Sequence, residues 1–298
     1  THSNERYLPG LMFPESLKIS TDLEQALSVA KHVLISVPSI AFSGMLEQIK
    51  PFITAGTPVS WATKGLTPES GRFLYETAAD ILGDSHALAV ISGPSFAAEV
   101  AKDLPTAVTS ASLDDDFNQA LALAIHSPTF RVYTTNDILG VQIGGTVKNV
   151  LAISAGIADG LGFGANARAA LITRGMAEIM RLSASLGAQN ETMFGLAGIG
   201  DLILTCTDNQ SRNRQLGLAI GRGLTVEQAV AEVGKTVEGM YAAREVLMRA
   251  QQAGVEMPIV EQVCKILFEG YDPRKSVQEL LCREQKAEAS SPKPAANK

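Results

Sequence analysis

The sequence predicts an α/β domain built on a parallel sheet, followed by an all-α domain. Through the first half, short apolar runs bounded by Pro, Gly and Ser alternate with helical patterns, as parallel strands with crossovers require. After about Asp137 the strand-like runs stop and helical spacing continues by itself. The length agrees, since at roughly 150 residues per domain a chain of 298 makes two. The expected division is 1–136 and 137–284, with a tail at 285–298 whose Ala, Ser, Pro and Lys content reads as disordered.

His32 to Val37 reads as a buried strand ended by Pro38, Ile40 to Ile49 as a helix, and Thr57 to Ala62 as a second strand. Ser70 to Leu82 reads as a helix by its stripe of Phe73, Leu74, Thr77, Ala78 and Ile81. Ala87 to Ile91, Thr106 to Ser110 and Phe130 to Tyr133 read as strands. Between the last two lies a helix, Asp114 to Ile125, started by acids as the macrodipole prefers. Gly140 to Gly187 reads as two long helices broken at Gly160 to Gly164. Further helical patterns cover Arg214 to Gly221, Thr225 to Glu232, Val237 to Ala253 and Pro258 to Glu269.

Charge and composition narrow the function. Lys plus Arg is 25 against 31 for Asp plus Glu, a net charge of -6, so no basic face is expected for a nucleic acid. No uninterrupted apolar run approaches the ~18 residues of a membrane span, and a small-molecule partner is expected instead. Cys206, Cys264 and Cys282 are odd in number and lack C-x-x-C spacing, which fits a reducing cytoplasm better than a disulfide framework or zinc. His2, His32, His86 and His126 are scattered, so no metal site is expected. The opening residues have neither the apolar region nor the basic start of a signal peptide.

Ligands of open parallel sheets bind beyond the carboxyl ends of the strands. Lys64 follows one strand, with Gly65 permitting a tight turn; it either enters the crevice or is a solvated strand-end lysine. Gly93 lets a ligand approach the backbone, and Ser95 can cap the next helix, although a plain turn with a cap explains both. Lys148 lies on a stripe of Gly144, Gly145, Ala152 and Ala155, which leaves room for a ligand or a second backbone. Burial and a neighbouring cation such as Lys64 would lower its pKa and suit it as a general base. The alternative is a lysine snorkelling past a helix contact. Asn149 follows on the same helix, pointing elsewhere.

Asp201 stands at a helix start with Thr205 one turn later on the same face. It reads either as a helix cap or as the carboxylate that orients Lys148. Asp208 to Arg214, containing Ser211, Arg212 and Asn213, reads as an anion site at a helix N-terminus, or as a polar interhelical loop. Gly162 to Ala167 matches G-x-G-x-x-A but follows a helix rather than a strand, so it reads as a helix-breaking turn.

Trp61 to Leu66 (WATKGL), Val90 to Val100 (VISGPSFAAEV), Gly144 to Ile153 (GGTVKNVLAI), Asn166 to Ile179 and Gly195 to Arg214 (GLAGIGDLILTCTDNQSRNR) occur in this order. Together they resemble the bacterial NAD(P)-dependent glycerol-3-phosphate dehydrogenases, from Arg6 to about Glu284. The resemblance implies a Rossmann-like first domain, NAD or NADP as cofactor, and sn-glycerol 3-phosphate and dihydroxyacetone phosphate as substrate and product. It implies Lys148 as proton acceptor, with Lys64, Gly93, Ser95, Asp201, Ser211, Arg212 and Asn213 lining the substrate. Asn149 and Thr205, neighbours of Lys148 and Asp201, join that set; Lys64 and Asp201 join Lys148 in the chemistry. Lys64, Ala97, Arg212 and Glu238 would face the nicotinamide. Reduction supplying the glycerol backbone of phospholipids is the implied direction, and a homodimer is the expected assembly.

The family opens with strand–G-x-G-x-x-G–helix–strand, which this sequence does not contain. Roughly 40 residues are therefore expected ahead of Thr1, and with them the main cofactor anchor and two central strands. A partial sequence of a functional enzyme is the expectation, and a short non-catalytic paralogue the alternative. The same plan also serves dehydrogenases of hydroxy acids, sugar acids or ketopantoate, against which Lys148 and the Arg212-Asn213 pair argue.

Overall fold

The computed structural model describes residues 2–68 and 70–283, so the expected disorder of 285–298 lies outside the described residues. It opens with an antiparallel hairpin, β1 (Ser3–Asn4) and β2 (Leu8–Met12), and a short helix, α1 (Leu23–Leu27). None of these was legible in the sequence, because each is short and mostly exposed, with no apolar period.

The main sheet takes its strands in chain order: β3 (Val33–Ile35), β4 (Val59–Trp61), β5 (Leu88–Ser92), β6 (Thr106–Ser112) and β7 (Phe130–Thr135). The expected parallel sheet stands, with one pair, β5 and β6, running antiparallel. Helices cover both faces. Leu88 and Val90 of β5 pack with α2 (Phe42–Ile49) and α3 (Leu74–Leu82), while Ala89 and Ile91 turn the other way. The helix expected from Ser70 starts only at Leu74, because Thr67 donates to the Arg72 carbonyl in a turn and Glu76 caps the Phe73 N–H at 2.8 Å. Between β5 and β6 lies only α4 (Ala97–Val100), too short to run back along a strand, so the chain reverses. On the second face, α5 (Asp115–Ile125) packs Phe117 and Leu121 against Val108; Asp114 caps it through the Phe117 N–H at 2.9 Å.

The helical half is assembled around α6 (Ile138–Gly160), buried along nearly its whole length. Its cap, Asp137, accepts from the Gly140 N–H at 2.9 Å, the Gln189 N–H at 3.0 Å and the Thr192 hydroxyl at 2.6 Å. By length and composition α6 could cross a membrane, yet 94% of its most apolar window is buried, so it is a core helix. Gln142, Thr146, Lys148 and Asn149 interrupt its apolar run, which is why no uninterrupted span is legible in the sequence.

Around α6 wrap α7 (Gly164–Ser185), α8 (Asn190–Met193), α9 (Asp201–Thr207), α10 (Arg212–Gly221), α11 (Val226–Val233), α12 (Glu238–Gln252), α13 (Pro258–Glu269) and α14 (Pro273–Leu281). The α6–α7 break falls where expected, at Gly162 and Gly164, both with positive φ. The G-x-G-x-x-A match is thus a turn between helices.

Two Gly-x-x-x-Gly pairs bring α6 and α10 into backbone contact. A Cβ on Gly156 would stand 2.2 Å from the Arg214 carbonyl oxygen, and one on Gly217 only 2.0 Å from that of Ile153. Gly217→Ala is therefore expected to cost about 3 kcal/mol through forced separation of the helices. Gly44→Ala, on the exposed face of α2 with nothing within 4 Å, should be neutral or mildly stabilising. Urea midpoints test the pair; equal tolerance at both positions would rule out a tight crossing.

Candidate active site

Where β4 and β5 end, the first domain meets α6 and α9. Gly65 has φ +132, and a Cβ there would lie 2.9 Å from that of Ser39, so the turn after β4 is tight. It directs Lys64 inward: Nζ donates to the Gly93 carbonyl at 3.1 Å and to Asp201 Oδ2 at 2.6 Å. Lys64 is not a solvated strand-end lysine. Gly93 has φ +145 and rests on the Val108 backbone. Ser95, expected as a helix cap, instead donates to the Gly93 carbonyl at 3.2 Å, and α4 is entered through Phe96. A two-residue loop to Gly93 competes successfully with the cap.

Lys148 is buried, and its Nζ donates to Asp201 Oδ1 at 2.5 Å and to the Thr205 hydroxyl at 2.9 Å. The small residues around it serve close approach. A Cβ on Gly144 would lie 2.2 Å from the Ala197 carbonyl oxygen, and one on Gly145 only 2.8 Å from Ser92 Oγ. Gly198, with non-helical φ -98 and ψ -105, kinks the chain just ahead of α9 and aims Asp201 at both lysines. Asp201 thus begins α9 but its carboxylate serves the two ammonium groups rather than capping the helix.

The electrostatics follow from one buried carboxylate between two cations. Burial, and then the charge of Lys64, lower the Lys148 ammonium to about 8, with Asp201 opposing the shift. Burial by itself would raise the Asp201 carboxyl, but Lys64 and Lys148 outweigh it and hold the group below the usual carboxylate range.

A second group gathers at the start of α10. Ser211 caps that helix, its hydroxyl accepting from the Arg214 N–H at 3.2 Å, and Arg212 stands exposed at the first helical position. Asn213 is buried; it donates to Asn149 Oδ1 at 2.9 Å and accepts from the Gly239 N–H at 2.8 Å, tying α6, α10 and α12 together. Glu238 begins α12 beside it. Burial raises the Glu238 carboxyl, while Arg212, Lys64 and Lys148 pull it down, so all four share one field. Ala97 is exposed at the start of α4, whose Glu99 accepts from Gln210 Nε2 at 2.8 Å and so links the first domain to the segment before α10.

Two residues were not singled out in the sequence. Arg214, read only as part of the polar loop, turns inward to Asp159. Ser92 Oγ is buried without a hydrogen-bond partner among the described residues, beside Lys64 and Gly145. An orphaned hydroxyl at the carboxyl end of β5 fits a polar ligand there, the polar edge of a nicotinamide cofactor included.

A Rossmann-like sheet whose strand ends abut a helical domain, with a lysine–carboxylate–lysine centre at the seam, defines a two-domain nicotinamide-dependent dehydrogenase. The family models for the NAD-dependent glycerol-3-phosphate dehydrogenase N-terminus and C-terminus match residues 1–118 and 137–278. A glycerol-3-phosphate dehydrogenase [NAD(P)+] of Idiomarina loihiensis is 56% identical over 288 residues, covering 96% of this chain and 86% of the relative. The crystal structure of glycerol-3-phosphate dehydrogenase from Coxiella burnetii superposes with a TM-score of 0.92 at 50% identity, covering 95% of this chain and 86% of that one. The chain belongs to the NAD-dependent glycerol-3-phosphate dehydrogenase family. A ketopantoate reductase from Ralstonia eutropha shares the fold alone, at 16% identity and a TM-score of 0.53 over 87% of this chain and 80% of that one. The rival readings gain no support from it.

Proposed function

We propose that this protein interconverts sn-glycerol 3-phosphate and dihydroxyacetone phosphate with NAD or NADP. The observation that carries the reading is the buried Lys148, paired with Asp201 at 2.5 Å and sharing with Arg212 the field at Glu238. When bound, the nicotinamide supplies a hydride acceptor or donor, held by Lys64, Ala97, Arg212 and Glu238. Lys148, neutral, takes the proton of the secondary alcohol; as an ammonium it stabilises the carbonyl oxygen in reduction. Asp201 and Thr205 orient its nitrogen. Lys64, fixed by Gly93 and Asp201, contributes a second positive charge near the reacting oxygen. Ser95 and Asn149 line the substrate, while Ser211, Arg212 and Asn213 receive the phosphate at the N-terminus of α10.

Residues 1–136 serve as the dinucleotide domain and 137–284 as the substrate domain. A cytoplasmic homodimer feeding phospholipid synthesis completes the reading, and sedimentation velocity tests the dimer. The decisive experiment measures reduction of dihydroxyacetone phosphate, ketopantoate and a set of oxo acids with NADH and NADPH. Dihydroxyacetone phosphate should be preferred by at least about 100-fold in kcat/KM, since a site built to hydrogen-bond one group discriminates against ligands that leave its donors unpaired, and the Arg212 fork matches a phosphate. Preference for an oxo acid overturns the reading. Arg212→Lys should raise the KM for glycerol 3-phosphate by about one to two orders of magnitude, because lysine cannot make the planar two-point grip. If the cofactor constant moves further instead, Arg212 serves mainly the nicotinamide; indifference of both would make the loop structural.

A further inference from the structure

Arg214 lies two residues beyond Arg212 and faces the opposite way, its side chain 7% exposed. Its guanidinium reaches three separate segments. Nε donates to the Cys206 carbonyl in the last turn of α9 at 3.0 Å, and Nη1 to Asn209 Oδ1 in the connecting loop at 2.8 Å. Nη2 donates to Asp159 Oδ2 in the last turn of α6 at 2.5 Å. Arg168 of α7 donates to the same carboxylate oxygen at 2.7 Å, so Asp159 is itself held on two sides. The loop closes further through Gln215, which donates to the Asn209 carbonyl at 2.7 Å.

This arrangement pins one stretch of chain at both ends. Asp201 and Thr205 lie just before the Cys206 contact, and Ser211, Arg212 and Asn213 lie just after the Asn209 contact. The anchor and Lys148 stand on one helix, eleven residues apart, or about 16 Å at 1.5 Å per residue. One unbroken helix, buried along nearly its whole length, α6 thereby acts as a ruler between the base and the start of α10.

We propose that Arg214, clamped by Asp159, is a positioning residue that sets the distance between Lys148 and the phosphate grip of Ser211, Arg212 and Asn213. Each of its guanidinium nitrogens donates to the protein itself, and the assignment rests on the glycerol phosphate reading. A lysine at position 214 offers one point charge in place of a fork and can hold one of the three segments. The loop then loses its register while the lysine–carboxylate–lysine centre persists.

The test compares wild type, Arg214→Lys and Asp159→Asn on dihydroxyacetone phosphate and on phosphate-free dihydroxyacetone, with thermal melts and the cofactor KM measured in parallel. For Arg214→Lys, kcat/KM on the phosphate ester should fall about 10- to 100-fold, mainly through KM, because the lost contacts act on uniform binding. On dihydroxyacetone the change should stay under about threefold, so discrimination between the two narrows. Asp159→Asn should move the same way by less, and the double variant should not be additive, since the two residues form one unit. If the lysine variant does not fold, Asp159→Asn carries the same readout. Equal losses on both substrates, or no loss on either, overturn the assignment. A wild-type protein indifferent to the phosphate overturns the functional reading, and this assignment with it.

Discussion

Replacing Lys148 by alanine is expected to lower turnover by about two to four orders of magnitude, the range for removing a positioned general base. Hydride transfer from a secondary alcohol leaves a proton on the developing carbonyl oxygen, and a group within hydrogen-bond reach must take it. Asp201 is unsuited: its carboxylate stays ionised between two lysines and would repel a phosphate ester. Lys148 is suited, because burial and Lys64 bring its ammonium down to about 8, where a useful neutral fraction exists at physiological pH. Oxidation by the wild type should therefore rise with pH through a midpoint near 8 as the ammonium loses its proton. Lys64→Ala removes a repelling charge and should move that midpoint up. Cofactor affinity should barely change in Lys148→Ala. Stopped-flow hydride transfer checks the prediction; a variant keeping more than about a tenth of normal turnover would remove Lys148 from the role of base.

Asp201→Asn is expected to be the most damaging isosteric change in the protein. The carboxylate is 1% exposed and is the shared partner of two lysines at 2.6 and 2.5 Å. Its neutral replacement leaves two neighbouring cations without a counter-charge, which should cost about 3–5 kcal/mol at pH 7. In the wild type the lowered Asp201 carboxyl contributes stability that is complete above the unfolded carboxyl pKa and is lost as pH falls through the lowered folded value. Turnover should fall because the Lys148 nitrogen loses its orienting partner. Asp201 opposes the downward shift of Lys148, so its removal should move the oxidation midpoint lower, opposite to Lys64→Ala. Urea unfolding and a pH–rate profile together decide: wild-type stability, or a midpoint moving upward, would sink the prediction.

How much of this was legible in the chain depends on the range of the interaction. The long helices α6 and α7, their break at Gly162 and Gly164, and the bounds of α13 follow from apolar period and from glycines, which act over a few neighbouring residues. The strands β3 to β7 were legible for the same reason. The Lys148 stripe of small residues was also readable, because i+3 and i+4 neighbours share a helix face. Family membership came from the order of long motifs.

Other features were settled only when distant segments met. The reversal between β5 and β6, the diversion of Ser95 from helix cap to the Gly93 carbonyl, and the inward turn of Arg214 depend on which backbone or charge lies opposite. So does the role of Asp201, which serves equally well as a cap or as a partner until α9 is placed. Its contacts with Lys148 and Lys64 span 53 and 137 residues of chain. Local periodicity determines which faces of this chain are buried. Packing of α6 against α9 and the strand ends determines which buried charges meet, because desolvation leaves each of them only the partner that the fold provides.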